Sequence, residues 1–305
     1  FAHLCNEQGL DEEGLGNTIA FAIECFERGL IGEKDTVGLR LGFGDPGAFL
    51  ALAEKIAGRE GVGDLLAEGS LRAAREIGRG AERYAIQVKG VEMSAADPRG
   101  MPLRAVSYAT STRGSDHLRS NPYIEEIATP EEALRLFGTE EAADLKATGG
   151  KGRLLKWSED FVTIGDLLGI CKFAYYRSAS WEHLYRKGVE LARRFLAACT
   201  GRELTDEELL RCGERTFNVE KAYNVRAGAG REQDIVPERF FEEPLLGGGP
   251  SGGALVRRED FDRILEDYYE DRGWNRESGL PKREKLRELG LEDIEKALAE
   301  RGLLG

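Results

Sequence analysis

The stretch DEEGLGNTIAFAIECFE, residues 11–27, reads as one amphipathic helix. Asp11 stands where an N-cap is needed, and Glu12 and Glu13 place negative charge in the first turn. Leu15, Ile19, Ala22 and Phe26 then return at three- and four-residue spacing along a single apolar face. The same grammar repeats outward. Asp45 followed by Pro46 opens a second helix whose face is Phe49, Leu52, Ala53 and Ile56. Asp64 begins a third, running through Leu65, Leu66 and Leu71, with glycine-rich joints at 58–63 and 78–80. The segment YAIQVKGVEM, residues 84–93, is β-branched and partly alternating, and is the best strand candidate. It marks the domain boundary, giving helical domains over 1–86 and 87–305. Beyond it, Thr129-Pro130 opens a short helix, and residues 161–173 form an apolar-periodic stretch. Trp181, Tyr185, Val189, Ala192, Phe195 and Leu196 make the stripe of the next helix, and Thr205 with Glu208 caps another. Residues 245–253 are a glycine-rich loop, and 282–301 read as two short charged helices. The expected fold is mainly α, two packed helical domains with few short strands.

A chain of 305 residues can bury roughly three quarters of its unfolded surface, so a core forms without staples. Five cysteines with no Cys-x-x-Cys pair do not read as a disulfide framework, which gives a reducing, cytoplasmic compartment as the expectation. No apolar run is long enough to span a membrane, and no basic-then-apolar leader is visible. A net charge of −12 argues against nucleic acid as a partner.

Chemistry concentrates in three places. The segments NEQGLD (6–11) and DLLGIC (166–171) share a shape: a polar side chain, a glycine three residues on, then a polar or thiol group two residues later. Such a turn can present donors and backbone N–H groups to one ligand. Cys171 ends an apolar run, so it reads first as a small buried hydrophobe and, in the sharper reading, as an iron ligand. The stretch YATSTRGSDHLR (108–119) gathers hydroxyls, two arginines, an acid and a histidine in what reads as a solvated or functional loop. There His117 can exchange a proton near neutral pH, and Arg113 or Arg119 can fork onto a phosphate. Lys89-Gly90-Val91-Glu92 and the turn at Asp97-Pro98-Arg99-Gly100 add further polar groups. His3 and His183 read as structural, and Cys25, Cys199 and Cys212, each on a helix, as core thiols.

Together and in this order, CNEQGLD (5–11), GDLLAEG (63–69), VKGVE (88–92), DPRG (97–100), YATS (108–111), RGSDH (113–117) and DLLGIC (166–171) resemble the C-terminal part of the aldehyde:ferredoxin oxidoreductases. The resemblance covers nearly the whole chain and fades after about Asn224. It implies oxidation of aldehydes to carboxylic acids at tungsten or molybdenum held by two pterin dithiolenes, with electrons leaving through a 4Fe-4S cluster to ferredoxin. It casts Asn6 and Asp11 toward one pterin, Asp166 and Ile170 toward the other, and Cys171 as the fourth cluster ligand. It places His117 as proton donor or acceptor beside the metal, and Arg119 at a pterin phosphate. Asn6 departs from the family pattern, where an acid stands, but keeps hydrogen-bonding capacity. The family's Cys-x-x-Cys-x-x-x-Cys ligands, N-terminal β domain and upstream glutamate are absent from these residues. The expectation is therefore a fragment edge at Phe1 or one piece of a split enzyme, metal-free and inactive alone. Expected partners are the missing N-terminal domain or subunit, a small aldehyde, ferredoxin and a second copy as a homodimer. Two rivals are the tungsten subunit of an aromatic acyl-CoA reductase and a helical interaction module that no longer catalyses.

Overall fold

The structure, a computed structural model, describes residues 1–120, 122–172, 174, 184–249 and 251–305, with 184–187 described by backbone alone. Trp181, His183 and the Tyr185 side chain lie outside the described residues. In chain order the first helices are α1 (Ala2–Gln8), α2 (Glu12–Glu27), α3 (Pro46–Gly58), α4 (Val62–Leu66) and α5 (Ser70–Ile77). A hairpin follows, with β1 (Gln87–Val88) antiparallel to β2 (Val91–Glu92) and Val88 facing Val91. Then come α6 (Pro102–Thr110), α7 (Ile124–Ile127), α8 (Pro130–Phe137), α9 (Lys151–Leu167), α10 (Leu184–Thr200), α11 (Asp206–Arg226), α12 (Arg239–Glu242), α13 (Arg258–Arg272), α14 (Arg283–Glu288) and α15 (Glu292–Ala299). The mainly α expectation holds, and the hairpin is the only sheet among the described residues.

The helix starts follow from local chemistry. The Asp11 carboxylate accepts the Gly14 N–H, and Asp45 accepts those of Gly47 and Ala48 ahead of the proline. Thr129 with Glu132 and Thr205 with Glu208 close full capping boxes on α8 and α11. Apolar faces meet in separate cores. One gathers Ile19, Leu52, Ile56 and Leu66 from α2 to α4. A second gathers Tyr108, Leu154, Phe161, Phe217, Ile264 and Trp274 around α9, and a smaller one seats Leu286 and Leu298 against Ala222 and Val225. Each Leu, Ile, Val or Phe among them contributes about 1.5–3 kcal/mol on burial.

Four expectations are corrected. The third helix is two, because Gly69 takes φ 85 and the Ser70 N–H turns to Glu92 Oε1 at 2.7 Å. The strand at 84–93 is a hairpin turning on Lys89 and Gly90, both at positive φ (54 and 82), the backbone of a two-residue hairpin turn. Residues 108–110 end helix α6 rather than lying in a loop. Phe195 points outward, while Val189 and Ala192 carry the stripe.

Helix α9 is the axis of the second core, with α11 and α13 against its two flanks. A Cβ at Gly213 of α11 would overlap the Asp160 carbonyl of α9, and one at Gly152 of α9 would overlap the Tyr268 backbone nitrogen of α13. Backbones meet backbones there, so neither neighbour can rotate aside. Gly213→Ala is expected to lower unfolding free energy by about 3 kcal/mol, the upper range for overpacking. Urea unfolding reads it, and a loss below about 1 kcal/mol would mean the helices separate at little cost.

Candidate functional site

The site is built from the end of α6 and the turn after it, set against the ends of α9 and α11. Lys89, held at positive φ by the hairpin, donates its Nζ protons to the carbonyls of Ala109 (2.5 Å) and Ser111 (3.1 Å) and pairs with Asp234 at 2.6 Å. An ammonium on the last carbonyls of α6 suits that helix's negative end. Burial pulls the Lys89 pKa below the ordinary lysine range while Asp234 opposes it. The three oxygens around Nζ favour its charged form. Burial also acts to raise the Asp234 carboxyl, but Lys221 and Lys89 outweigh it and hold it below the usual range. The chain leaving α6 is pinned again where Asn224 Nδ2 donates to the Thr112 carbonyl at 2.7 Å.

The sequence-predicted His117 opens a 3-10 turn, His117–Arg119, whose N-cap is Asp116, accepting from the Leu118 N–H at 2.8 Å. Arg113 pairs with the same Asp116. Beneath the turn the hydroxyls of Ser107 and Ser120 bond to each other. Arg119 is 2% exposed and carries two acids. Its Nη1 donates to Asp166 Oδ2 at 2.5 Å, its Nη2 to Glu220 Oε1 at 2.6 Å, and its Nε to Glu220 Oε2 at 3.0 Å and Thr112 Oγ1 at 3.2 Å. Thr112 Oγ1 donates in turn to Glu220 Oε2 at 2.6 Å. The Phe217 ring lies 5.3 Å from the guanidinium carbon. Lys172 completes the group, its Nζ 3.2 Å from Asp166 Oδ2 and 2.8 Å from the Leu118 carbonyl. Burial lowers the Lys172 pKa, against the pull of Asp166.

Arg119 and Asp166 thus meet directly, and the residue after Cys171 ties that segment to the His117 turn. Ile170 is half-buried against the second core, and Cys171 is exposed. The exposure corrects its reading as a small buried hydrophobe. Cys25 is buried, which pushes its thiol up to about 12, but Cys199 and Cys212 are exposed and are not core thiols. Asn6 lies exposed on α1, and Asp11 caps α2 through one oxygen. Neither is hydrogen-bonded to the Arg119 group among the described residues. The two look-alike segments do share a turn. Gly9 and Gly169 both take the left-handed conformation (φ 66 and 65) just past a helix, with Leu10 N–H returning to the Cys5 carbonyl and Ile170 N–H to that of Gly165. Each is a glycine stop that leaves its flanking side chains on either side of one bend.

Lys172, Glu220 and Asn224 were not singled out from the sequence. The available signal was the i, i+4 spacing of Glu220 and Asn224 on a helix with Phe217 one turn before. Beside the turn opens a cleft of about 720 Å³ lined by Lys89, Thr112, Arg113, Asn224 and Val236 among others. Among the described residues no three His, Cys, Asp or Glu side chains group as a metal site, and no helix is long and apolar enough to cross a membrane.

Residues 1–291 match the profile of the family described as aldehyde ferredoxin oxidoreductase, domains 2 & 3. The tungsten-containing aldehyde ferredoxin oxidoreductases of Pyrococcus abyssi and Pyrococcus furiosus are each 34% identical to this chain over 96% of its length. The aliphatic sulfonate oxidoreductase WOR-like subunit of Pyrococcus furiosus is 31% identical over 95% of the chain. The chain spans 45% of the length of the first two and 42% of the third. In fold it is similar to the active site complex BamBC of benzoyl coenzyme A reductase in complex with 1,5-dienoyl-CoA. The TM-score is 0.70 at 23% identity, covering 97% of this chain and 46% of that one.

Proposed function

The chain belongs to the aldehyde ferredoxin oxidoreductase family and corresponds to its domains 2 and 3, and on that premise we propose that it supplies the pterin-binding and proton-handling half of an enzyme that oxidises aldehydes to carboxylic acids. Electrons would pass through a 4Fe-4S cluster to ferredoxin, in a reducing cytoplasm. The rest of the enzyme would come from the half of the relatives that this chain does not match.

The donor set fits a polar, anionic cofactor. Among the described residues Arg119 retains one uncommitted N–H on each of Nη1 and Nη2, and the buried hydroxyls of Ser111 and Ser115 have no hydrogen-bond partner. When bound, a tungsten or molybdenum bis-pterin supplies the two-electron change. The chain's own groups do the rest. Arg119 binds phosphate, Asp166 and the backbone at Ile170 orient one pterin, and Asn6 and Asp11 the other. His117 holds or releases a proton at an imidazole nitrogen. Cys171 offers one thiolate to the cluster, whose remaining ligands must come from elsewhere, since a single cysteine does not hold one.

The observation that carries this reading is Asp166 Oδ2, bonded at once to Arg119 and Lys172, while Lys172 also holds Leu118. One carboxylate joins the proposed pterin, proton and cluster segments. The rival aromatic acyl-CoA reductase draws on likeness in fold alone, whereas the curated aldehyde enzymes are alike in sequence as well, so an aldehyde is the substrate class proposed. Purified without oxygen together with the rest of the enzyme, the assembly is expected to hold about one tungsten or molybdenum and about four irons, and to oxidise aldehydes with ferredoxin as acceptor. An assembly without metal overturns the reading in favour of the interaction module.

A further inference from the structure

We infer that Glu220 is a positioning residue for the cofactor site, holding Arg119 by one edge so that Asp166 keeps an oxygen for the ligand. The inference rests on the proposed reading of Arg119 as a phosphate contact.

A guanidinium offers a carboxylate two edges, and a lone acid beside it settles into a two-bond fork. Asp166 is the acid at the end of α9, 40% exposed in its side chain, and unopposed it would take Arg119 in that way with both oxygens. Lys172, 3.2 Å from Oδ2, draws that carboxylate off the Nη1–Nη2 edge, and Glu220 closes the other edge. Glu220 occupies the Nε and Nη2 edge with its own fork at 3.0 and 2.6 Å, leaving Asp166 a single bond to Nη1 through Oδ2. Asp166 Oδ1 then has no partner among the described residues. Thr112 fixes the roll of the fork by donating to Glu220 Oε2 and accepting from Arg119 Nε, and Phe217 lies against the guanidinium face. Charge closes as well: two acids, Asp166 and Glu220, against two bases, Arg119 and Lys172. Arg119 thereby stays at its post with two N–H groups to give, and Asp166 stays available.

Glu220→Gln keeps the shape but removes one charge and sets an amide N–H against either Arg119 or Thr112, so Arg119 is expected to turn to Asp166. In the complete enzyme the rate of pterin loss, followed by fluorescence of the oxidised pterin, is compared for Arg119→Met, Glu220→Gln and the double variant. Each single variant is expected to lose pterin at least about tenfold faster, the scale of one charge-assisted hydrogen bond. The double variant is expected to be no faster than Arg119→Met alone, because the two residues act as one unit. Melting temperature should move little in Glu220→Gln. If that variant does not fold, Glu220→Asp, one methylene short of the fork, replaces it. Additive losses in the double variant would assign Glu220 an independent role and overturn the inference. So would normal retention in Glu220→Gln beside rapid loss in Arg119→Met. Normal retention in Arg119→Met is the distinct failure, that of the phosphate reading itself.

Discussion

Replacing His117 by alanine in the complete enzyme is expected to slow turnover by about 10²–10⁴-fold, the range lost with a general acid or base, while pterin, metal and iron content stay as in the parent. The turn that carries the imidazole does not depend on it. Asp116 caps the turn through the Leu118 N–H, Lys172 holds the Leu118 carbonyl, and Arg119 anchors the far end on Asp166 and Glu220. Removing a half-buried ring at the first position therefore takes away a proton carrier and leaves the scaffold. Steady-state kcat beside metal analysis separates the two. Undiminished turnover would take His117 out of the proton path, and loss of cofactor would recast it as a binding residue.

Arg272→Met is expected to cost about 3–5 kcal/mol of stability, the range for breaking a buried ion pair by removing one partner. Arg272 is fully buried between α13 and α9, with Nη2 donating to Glu159 Oε2 at 2.5 Å, Nη1 to Asp160 Oδ1 at 2.6 Å, and the Phe217 ring 4.2 Å from its carbon. Asp160 keeps Lys156 as a second cation at 2.8 Å. Among the described residues Glu159 keeps only the Tyr268 hydroxyl at 2.8 Å. Burial already pushes the Glu159 carboxyl up to about 7 against the pull of Arg272, and Glu125 beside Lys151 likewise to about 7. Both bind a proton more tightly folded than unfolded. The stability this adds is complete below the unfolded value near 4.5 and fades as pH rises to about 7. Without Arg272 the affinity of Glu159 for its proton rises further. The penalty should be largest above pH 7 and shrink as pH falls, and Glu159→Gln should recover part of it. Urea midpoints on the acid and alkaline sides measure this, and an equal penalty on both sides would exonerate Glu159.

What the sequence made legible was local. The caps at Asp11, Asp45, Thr129 and Thr205 act within four residues of themselves, and each starts a helix where its chemistry says it should. The bends at Gly9 and Gly169 were visible as matched spacing for the same reason. What stayed hidden depends on partners far along the chain. Gly69 interrupts a helix because Glu92 reaches the Ser70 N–H, 22 positions away. Arg119 and Glu220 lie 101 positions apart, and a polar pair at that separation leaves no period to read. Helix α13 escaped notice although Phe261, Ile264, Leu265 and Tyr268 form its buried face, because acids and arginines fill the positions between them. The exposure of Cys199 and Cys212 was equally beyond local reading, since a helix assigns a residue to a side without saying which side the core takes.

Seen by a geneticist, the glycines at the two close contacts of α9 would behave as part of the site. Asp160, which Gly213 touches, lies six residues before Asp166, roughly 9 Å along the same helix axis, so a side chain forced in at Gly213 displaces the segment that carries the carboxylate. Gly152 sets the other flank against α13. Among alleles scored only by lost activity, lesions at these two positions would cluster with those at Asp166 and Arg119. They carry no functional group at all, and only their phenotype would place them in the same complementation of effects.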